Sequence, residues 1–189
     1  MDQAHDLGDI TLLIERARAG DGDAIGVLFE QLYPELRRIA HARLRRSFGD
    51  PDFGTTALVH ECFLKLCDSQ RLAASDRLHF MAYAATTMRS IVVDIARSRA
   101  SARRGGAAAH VTLDDDQGSS DAAGEQEILR VHEALQELAE LEPRLVRLVE
   151  MRYFSGLADT EIAAALNVTD RTVRRDWRKA RVLLAAALR

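Results

Sequence analysis

The chain has 189 residues, of which 47% are apolar, 5% aromatic and 29% charged, with three prolines. That length admits one ordinary domain or two small ones rather than a large barrel enzyme, and a composition rich in Ala, Leu and Arg excludes an all-β fold. The formal charge of -3, from 26 basic and 29 acidic side chains, means that any case for nucleic acid has to rest on where the charges sit.

From Ile10 onward apolar residues recur at helical spacing. Clusters of Gly, Asp and Pro mark the stops: Ala19-Gly20-Asp21-Gly22-Asp23, the run from Ser47 to Gly54, and the run from Ser69 to Asp76. Four helices are expected at about residues 10–18, 23–46, 55–68 and 76–102, packed as one bundle in a first domain over about residues 1–104. In the second helix Ile25, Leu28, Phe29, Leu32, Leu36 and Ile39 form an inward stripe, with Glu30, Glu35, Arg37 and Arg38 outside it. Cys62 and Cys67 have no His or Cys neighbours at metal-ligand spacing and are expected as reduced core residues, so no metal site is implied.

After Arg103-Arg104 the texture changes to Gly105-Gly106-Ala107-Ala108-Ala109 and then Asp114-Asp115-Asp116. Such a stretch buries too little apolar area to offset its ordering entropy and reads as a flexible acidic linker over about residues 105–124. Helical patterning resumes near Glu125 with Ile128, Leu129, Val131, Leu135, Leu138 and Leu141. Pro143 suits the first turn of the next helix, Ser155-Gly156 its end. A short helix from Asp159 and a long one from Asp170 complete a second domain of about residues 125–189.

The last two helices have the lengths of a helix-turn-helix. Ala163 is small where they would cross, Ile162 and Leu166 face the core, Val168 plugs the turn, and Thr169 or Asp170 caps the last helix. On that helix Val173, Trp177, Ala180 and Leu184 share one side, whereas Arg171, Thr172, Arg174, Arg175, Arg178 and Lys179 lie mainly off it. This arrangement suits a major groove, where Arg reads guanine edges and grips phosphate; the alternative is a solvated cationic helix end. Trp177 reads as core rather than as a base-stacking platform because it lies on the apolar stripe. The first domain carries two further basic groups, Arg37, Arg38, Arg43, Arg45 and Arg46, and Arg89, Arg97, Arg99, Arg103 and Arg104. Basic groups on both sides of a linker suggest one protein gripping DNA at two places.

At this point the residues resemble a known family. Leu58-Val59-His60-Glu61-Cys62-Phe63-Leu64-Lys65-Leu66 is similar to the polymerase-binding helix of the extracytoplasmic-function (ECF) sigma factors, usually written D-L-V-Q-E-V-F-L-K-L. Phe80-Met81-Ala82-Tyr83-Ala84, continuing through Met88 to Arg97, resembles the family's minus-ten helix. Leu141-Glu142-Pro143-Arg144, Arg152-Tyr153-Phe154-Ser155-Gly156-Leu157, Thr172-Val173-Arg174 and Arg178-Lys179-Ala180-Arg181 resemble its L-P-P-R, R-Y-F-E-G-L, T-V-K and H-R-A-R. The resemblance implies an all-α protein of two helical domains that directs RNA polymerase core to promoter DNA. It puts Leu58, Val59, Glu61, Phe63 and Leu66 on or near the helix that docks on the β′ clamp helices, with the β flap as a second polymerase contact. It puts Arg89, Ser90, Asp94 and Arg97 near the melted minus-ten strand and the last helix in the minus-thirty-five major groove. Opening DNA requires a basic surface and pockets for flipped bases, which agrees. Asp94 also has a simpler reading, an ion pair with Arg97 or a neighbouring Arg.

The sequence departs from the family just before this helix. Where members commonly read D-A-E-D, this chain has Gly54-Thr55-Thr56-Ala57, with Thr56 in the Glu position. A phosphothreonine adds about -1.5 to -2 charge and three acceptor oxygens, enough to rebuild an acidic patch. The resemblance adds that one subgroup lacking these acids is switched on by a serine/threonine kinase, so Thr56, with Thr55 second, is the expected phosphorylation site; either residue also suits a helix cap. No catalytic group and no cofactor are implied, and no signal or membrane-spanning pattern appears, so a cytoplasmic protein is expected. A helix-turn-helix regulator acting without polymerase would account for the second domain but leave the L-V-H-E helix unexplained.

Overall fold

The computed structural model describes residues 3–48, 54–68, 74–105 and 115–189. Helix α1 spans Gln3–Arg18, α2 Gly22–Phe48, α3 Thr55–Asp68 and α4 Arg77–Gly105; α5 spans Asp115–Leu141, α6 Pro143–Glu150, α7 Asp159–Ala165 and α8 Asp170–Ala187. One π-helical turn, Met151–Ser155, continues α6. The fold is all-α, as the composition requires, with no strand among the described residues. Among those residues no helix is long and apolar enough to cross a membrane.

The expected stops have identifiable chemistry. Gly20 turns the chain at φ 93°, and the Asp21 carboxylate caps α2 by accepting the amide N–H groups of Asp23 and Ala24 at 3.1 and 3.2 Å. Pro143 occupies the first turn of α6, where an N–H would have no intrahelical acceptor. Two boundaries differ from expectation. Helix α1 begins at Gln3 rather than near residue 10, and α5 begins at Asp115 rather than near Glu125. The expected linker therefore divides: Gly105 ends α4, residues 106–114 lie outside the described residues, and 115–124 are helical. No proline interrupts residues 115–141. Gly118 and Gly124 cost that helix about 1 kcal/mol each without ending it, because its later turns are held by packing.

The two halves share one interior. Ile14, Leu28, Leu36, Leu58, Met88 and Ile91 of the first bundle belong to the same apolar cluster as Leu148, Met151, Leu157 and Ile162 of the second half. A smaller cluster of Leu135, Leu138, Leu145, Val146, Val149 and Ala180 lies within the second half. Charges at the seam are paired. Arg77 Nη2 donates to both Glu35 carboxylate oxygens at 2.6 and 2.8 Å, and its Nη1 donates to Glu161 at 3.3 Å. Arg89 Nε lies 2.7 Å from Glu150, whose carboxylate is only 4% exposed and also accepts from Thr86 Oγ1 at 2.8 Å. An isolated carboxylate so buried would cost several kcal/mol, which Arg89 and Thr86 offset. The Arg43 guanidinium lies 3.9 Å from the centroid of the Tyr153 ring across the same seam.

Helices α7 and α8 form the expected helix-turn-helix. The Val168 amide donates to the Ala163 carbonyl at 2.9 Å and the Asn167 amide to the Ala164 carbonyl at 3.1 Å, with Asn167 left-handed at φ 53°. This is a Schellman ending with Asn in the place usually given to Gly. Ile162, Ala163 and Val173 are buried beneath it, and Thr169 caps α8 through its Oγ1, which accepts the Thr172 amide at 3.3 Å.

Two measurements check this architecture. Leu148→Ala, at a site with 0% exposure in the shared cluster, should lower the unfolding free energy by about 2–5 kcal/mol. Urea unfolding should stay a single transition, coincident by helix circular dichroism and Trp177 fluorescence; two separated transitions would mean independently folding halves. At the turn, Asn167→Gly should melt within a few degrees of the parent, whereas Asn167→Val should lose about 1–2 kcal/mol, because a β-branched residue is strained at positive φ.

Candidate nucleic-acid interface

Helix α8 divides as its sequence pattern expects. Val173 and Ala180 are buried, Trp177 and Leu184 pack beside them, and Arg171, Arg174, Arg175, Arg178 and Lys179 are exposed, with Thr172 half-buried near the cap. Trp177 packs against both apolar clusters and is covered by the Arg152 guanidinium, 4.6 Å from its ring centroid, so it belongs to the interior. The exposed cations are not equivalent. Lys179 bonds Glu142 at the junction of α5 and α6, and Arg178 Nε donates to the Arg174 carbonyl at 3.3 Å. Arg175 reaches back to Asp176, which no hydrophobic pattern marks as interior, yet which is 3% exposed and also paired with Arg144 at 2.7 Å.

On α4 the expected strand-contacting residues separate into two groups. Ser90, Asp94 and Arg97 are exposed on one side. Asp94 lies 3.5 Å from Lys65 and 3.9 Å from Arg97, and Lys65 is also 3.5 Å from Glu61, so a string of surface charges joins α3 to α4. Pairs this exposed contribute at most about 1 kcal/mol each and yield readily to a phosphate. Arg89 stands apart. It is turned into the seam, held by Glu150, with Nη1 3.2 Å from His132 Nδ1. Burial, and then the nearby Arg89 and Arg97 charges, push the His132 pKa below its ordinary value, so the ring is neutral and its Nδ1 accepts from Arg89. Arg89 therefore faces the second half here rather than an open strand-binding surface. Of the remaining basic groups, Arg37, Arg38, Arg45 and Arg99 are exposed, while the side chains of Arg46, Arg103 and Arg104 lie outside the described residues.

Helix α3 carries all five expected docking residues, on different faces. Leu58, Val59 and Leu66 are buried in the chain's own core, and Phe63 stacks on Phe29 with ring centroids 4.0 Å apart. Only Glu61 of the expected five is exposed. The outward face comprises Thr56, Ala57, His60, Glu61 and Leu64, and Leu64 is 64% exposed. Helical spacing could have found it: Leu58, Cys62 and Leu66 recur every fourth residue and define the inner face, to which Leu64 is opposed. Burial pushes the Cys62 thiol up to about 12, and its Sγ–H points to the Ala84 carbonyl at 3.8 Å. Cys67's side chain lies outside the described residues.

The start of α3 separates the two threonines. The Gly54 carbonyl accepts the Leu58 amide at 2.8 Å, so Gly54 precedes the first helical residue, and a Cβ there would come within 3.2 Å of Leu44 Cδ1. Thr55 is buried at 4% exposure, Thr56 is exposed, and no acid stands in this first turn.

None of the curated proteins is significantly similar to the chain. Among solved structures, CnrH in complex with the cytosolic domain of CnrY is similar at 20% identity and a TM-score of 0.43, covering 95% of this chain and 97% of that one. The family model described as ECF sigma factor matches residues 7–189, from α1 through the bundle and the helix-turn-helix to the end of α8, and the chain therefore belongs to the ECF sigma factor family.

Proposed function

We propose that this chain directs RNA polymerase core to promoters, with α8 in the major groove of the minus-thirty-five element and the exposed side of α4 along the minus-ten strand. The observation that carries the reading is the Arg-rich face of α8, exposed on a capped helix-turn-helix, in a chain belonging to a family of transcription initiation factors. Arg171, Thr172, Arg174, Arg175, Arg178 and Lys179 supply the duplex contacts, some to bases and some to phosphates. Ser90, Asp94 and Arg97 serve the melted strand, and Arg89 joins them once Glu150 releases it. The β′ clamp helices take the outer face of α3, Glu61 and Leu64 above all, and the β flap takes the second half. Residues 1–104 and 125–189 act as the two working units, in the cytoplasm where polymerase is.

Activation runs through Thr56. Exposure of Thr56 beside a buried Thr55, at a helix start without acids, supports it as the residue a serine/threonine kinase modifies. A phosphate there carries about -1.5 to -2 charge, is favoured by the helix dipole and lies on the face meant for a basic partner.

Run-off transcription with reconstituted core tests the first reading. Arg174→Ala, Arg175→Ala and Arg178→Ala should each weaken promoter use by about 1–3 kcal/mol where the contact is to a base, and less where it is to phosphate. Full activity in all three variants would overturn the assignment. The switch is tested by core-binding titrations before and after kinase treatment. Unmodified protein should bind poorly and phosphorylated protein tightly, with Thr56→Glu intermediate and Thr56→Ala inactive but folded. Equal transcription by Thr56→Ala and the phosphorylated form would leave Thr56 without a switching role.

A further inference from the structure

We infer that Asp176 is a positioning residue for promoter recognition: it holds the Arg175 guanidinium in one orientation for a guanine edge in the minus-thirty-five element. The inference rests on the placement of α8 in the promoter proposed above. A carboxylate on a DNA-facing helix is anomalous, since phosphates repel it, and one with 3% exposure is costly unless both oxygens are matched. Both are. Oδ2 accepts from Arg144 Nη2 at 2.7 Å, and Oδ1 accepts from Arg175 Nε and Nη2 at 3.2 and 3.1 Å.

The consequence lies in the shape of the guanidinium. Its five N–H groups form a planar fork, and Asp176 engages the Nε–Nη2 edge. The opposite edge, Nη1 with the second hydrogen of Nη2, points away from the carboxylate on a side chain that is 67% exposed. That edge presents parallel donors matching the two major-groove acceptors of guanine, O6 and N7. Much of the rotamer freedom a long side chain would lose on binding is already lost before DNA arrives, which favours a specific contact over a sliding one. Arg144, contributed by α6, anchors the carboxylate from the other side, so Asp176 orients Arg175 from the protein's interior. Arg171 and Arg174, which form no ion pair among the described residues, suit phosphates instead.

The test uses polymerase reconstituted with full-length variants and a promoter library randomised across the minus-thirty-five element. Arg175→Ala should erase the guanine preference at one position. Asp176→Asn, which keeps the shape and removes the charge, should reduce the preference at that same position about tenfold and spare the others. The double variant should match Arg175→Ala alone. Should Asp176→Asn fail to fold, Asp176→Leu combined with Arg144→Met replaces the carboxylate and its half-exposed arginine partner by apolar side chains, and it must lose the same preference. A uniform loss at every position on Asp176→Asn, or additive effects in the double variant, would make Asp176 merely structural and overturn the inference. So would an Arg175→Ala profile that falls evenly, the signature of a phosphate contact. If Arg174→Ala, Arg175→Ala and Arg178→Ala all keep the parental profile, the placement of α8 itself fails.

Discussion

Leu148, Met151, Leu157 and Ile162 leave water by packing into the cluster built by α1 to α4, and this burial governs how the molecule is assembled. At about 25 cal/mol for each Å² of apolar surface removed from water, a cluster spanning both halves outweighs any ion pair at the seam. The pairs then decide geometry. Arg77 between Glu35 and Glu161, and Arg89 between Glu150 and His132, are satisfied in only one relative orientation of the helices. The seam is incompletely filled, however: a cavity of about 320 Å³ opens among Val92, Val93, Ile128 and Val131, whose facing atoms forgo dispersion contacts there.

The distribution of acids explains how a chain of net charge -3 presents basic faces. Glu150 and Asp176 are withdrawn from the surface and neutralised by arginines, and Glu35, Glu142 and Glu161 are tied to Arg77 or Lys179. The arginines of α8 remain outside. Local potential rather than net charge is what a phosphate meets within a Debye length of about 10 Å, so the acidic total and the cationic recognition helix are compatible.

Much of this was legible in the sequence. The stripe Val173, Trp177, Ala180 and Leu184 gave the inward side of α8, and Gly20, Pro143 and Gly156 marked real turns, because helical period and turn chemistry are local properties. What was not legible depends on partners distant in sequence. Glu150 and Asp176 are charged residues whose burial follows from Arg89 and Arg144, and periodicity carries no signal for that. A motif names the residues of the expected docking helix without saying which way each faces, and the burial of Leu58, Val59 and Leu66 in the cluster shared with α2 and α4 turns those three inward. The early start of α5 carries no sequence signal because residues 115–124 lack apolar period, while nothing in their composition forbids a helix that later turns nucleate.

The buried thiol of Cys62 is chemically discreet. With its pKa at about 12, only about one in 10⁵ of such groups is ionised at neutral pH, and the thiolate rather than the thiol attacks disulfides, peroxides and alkylating agents. The sulfur lies between α3 and α4, beside the Ala84 carbonyl, so no reagent reaches it while those helices stay together. Oxidants in the surrounding solution therefore pass this cysteine by. With Cys67 replaced by serine, the rate at which a thiol probe labels Cys62 is instead a clock for separation of α3 from α4, the helices that carry the proposed polymerase and minus-ten surfaces.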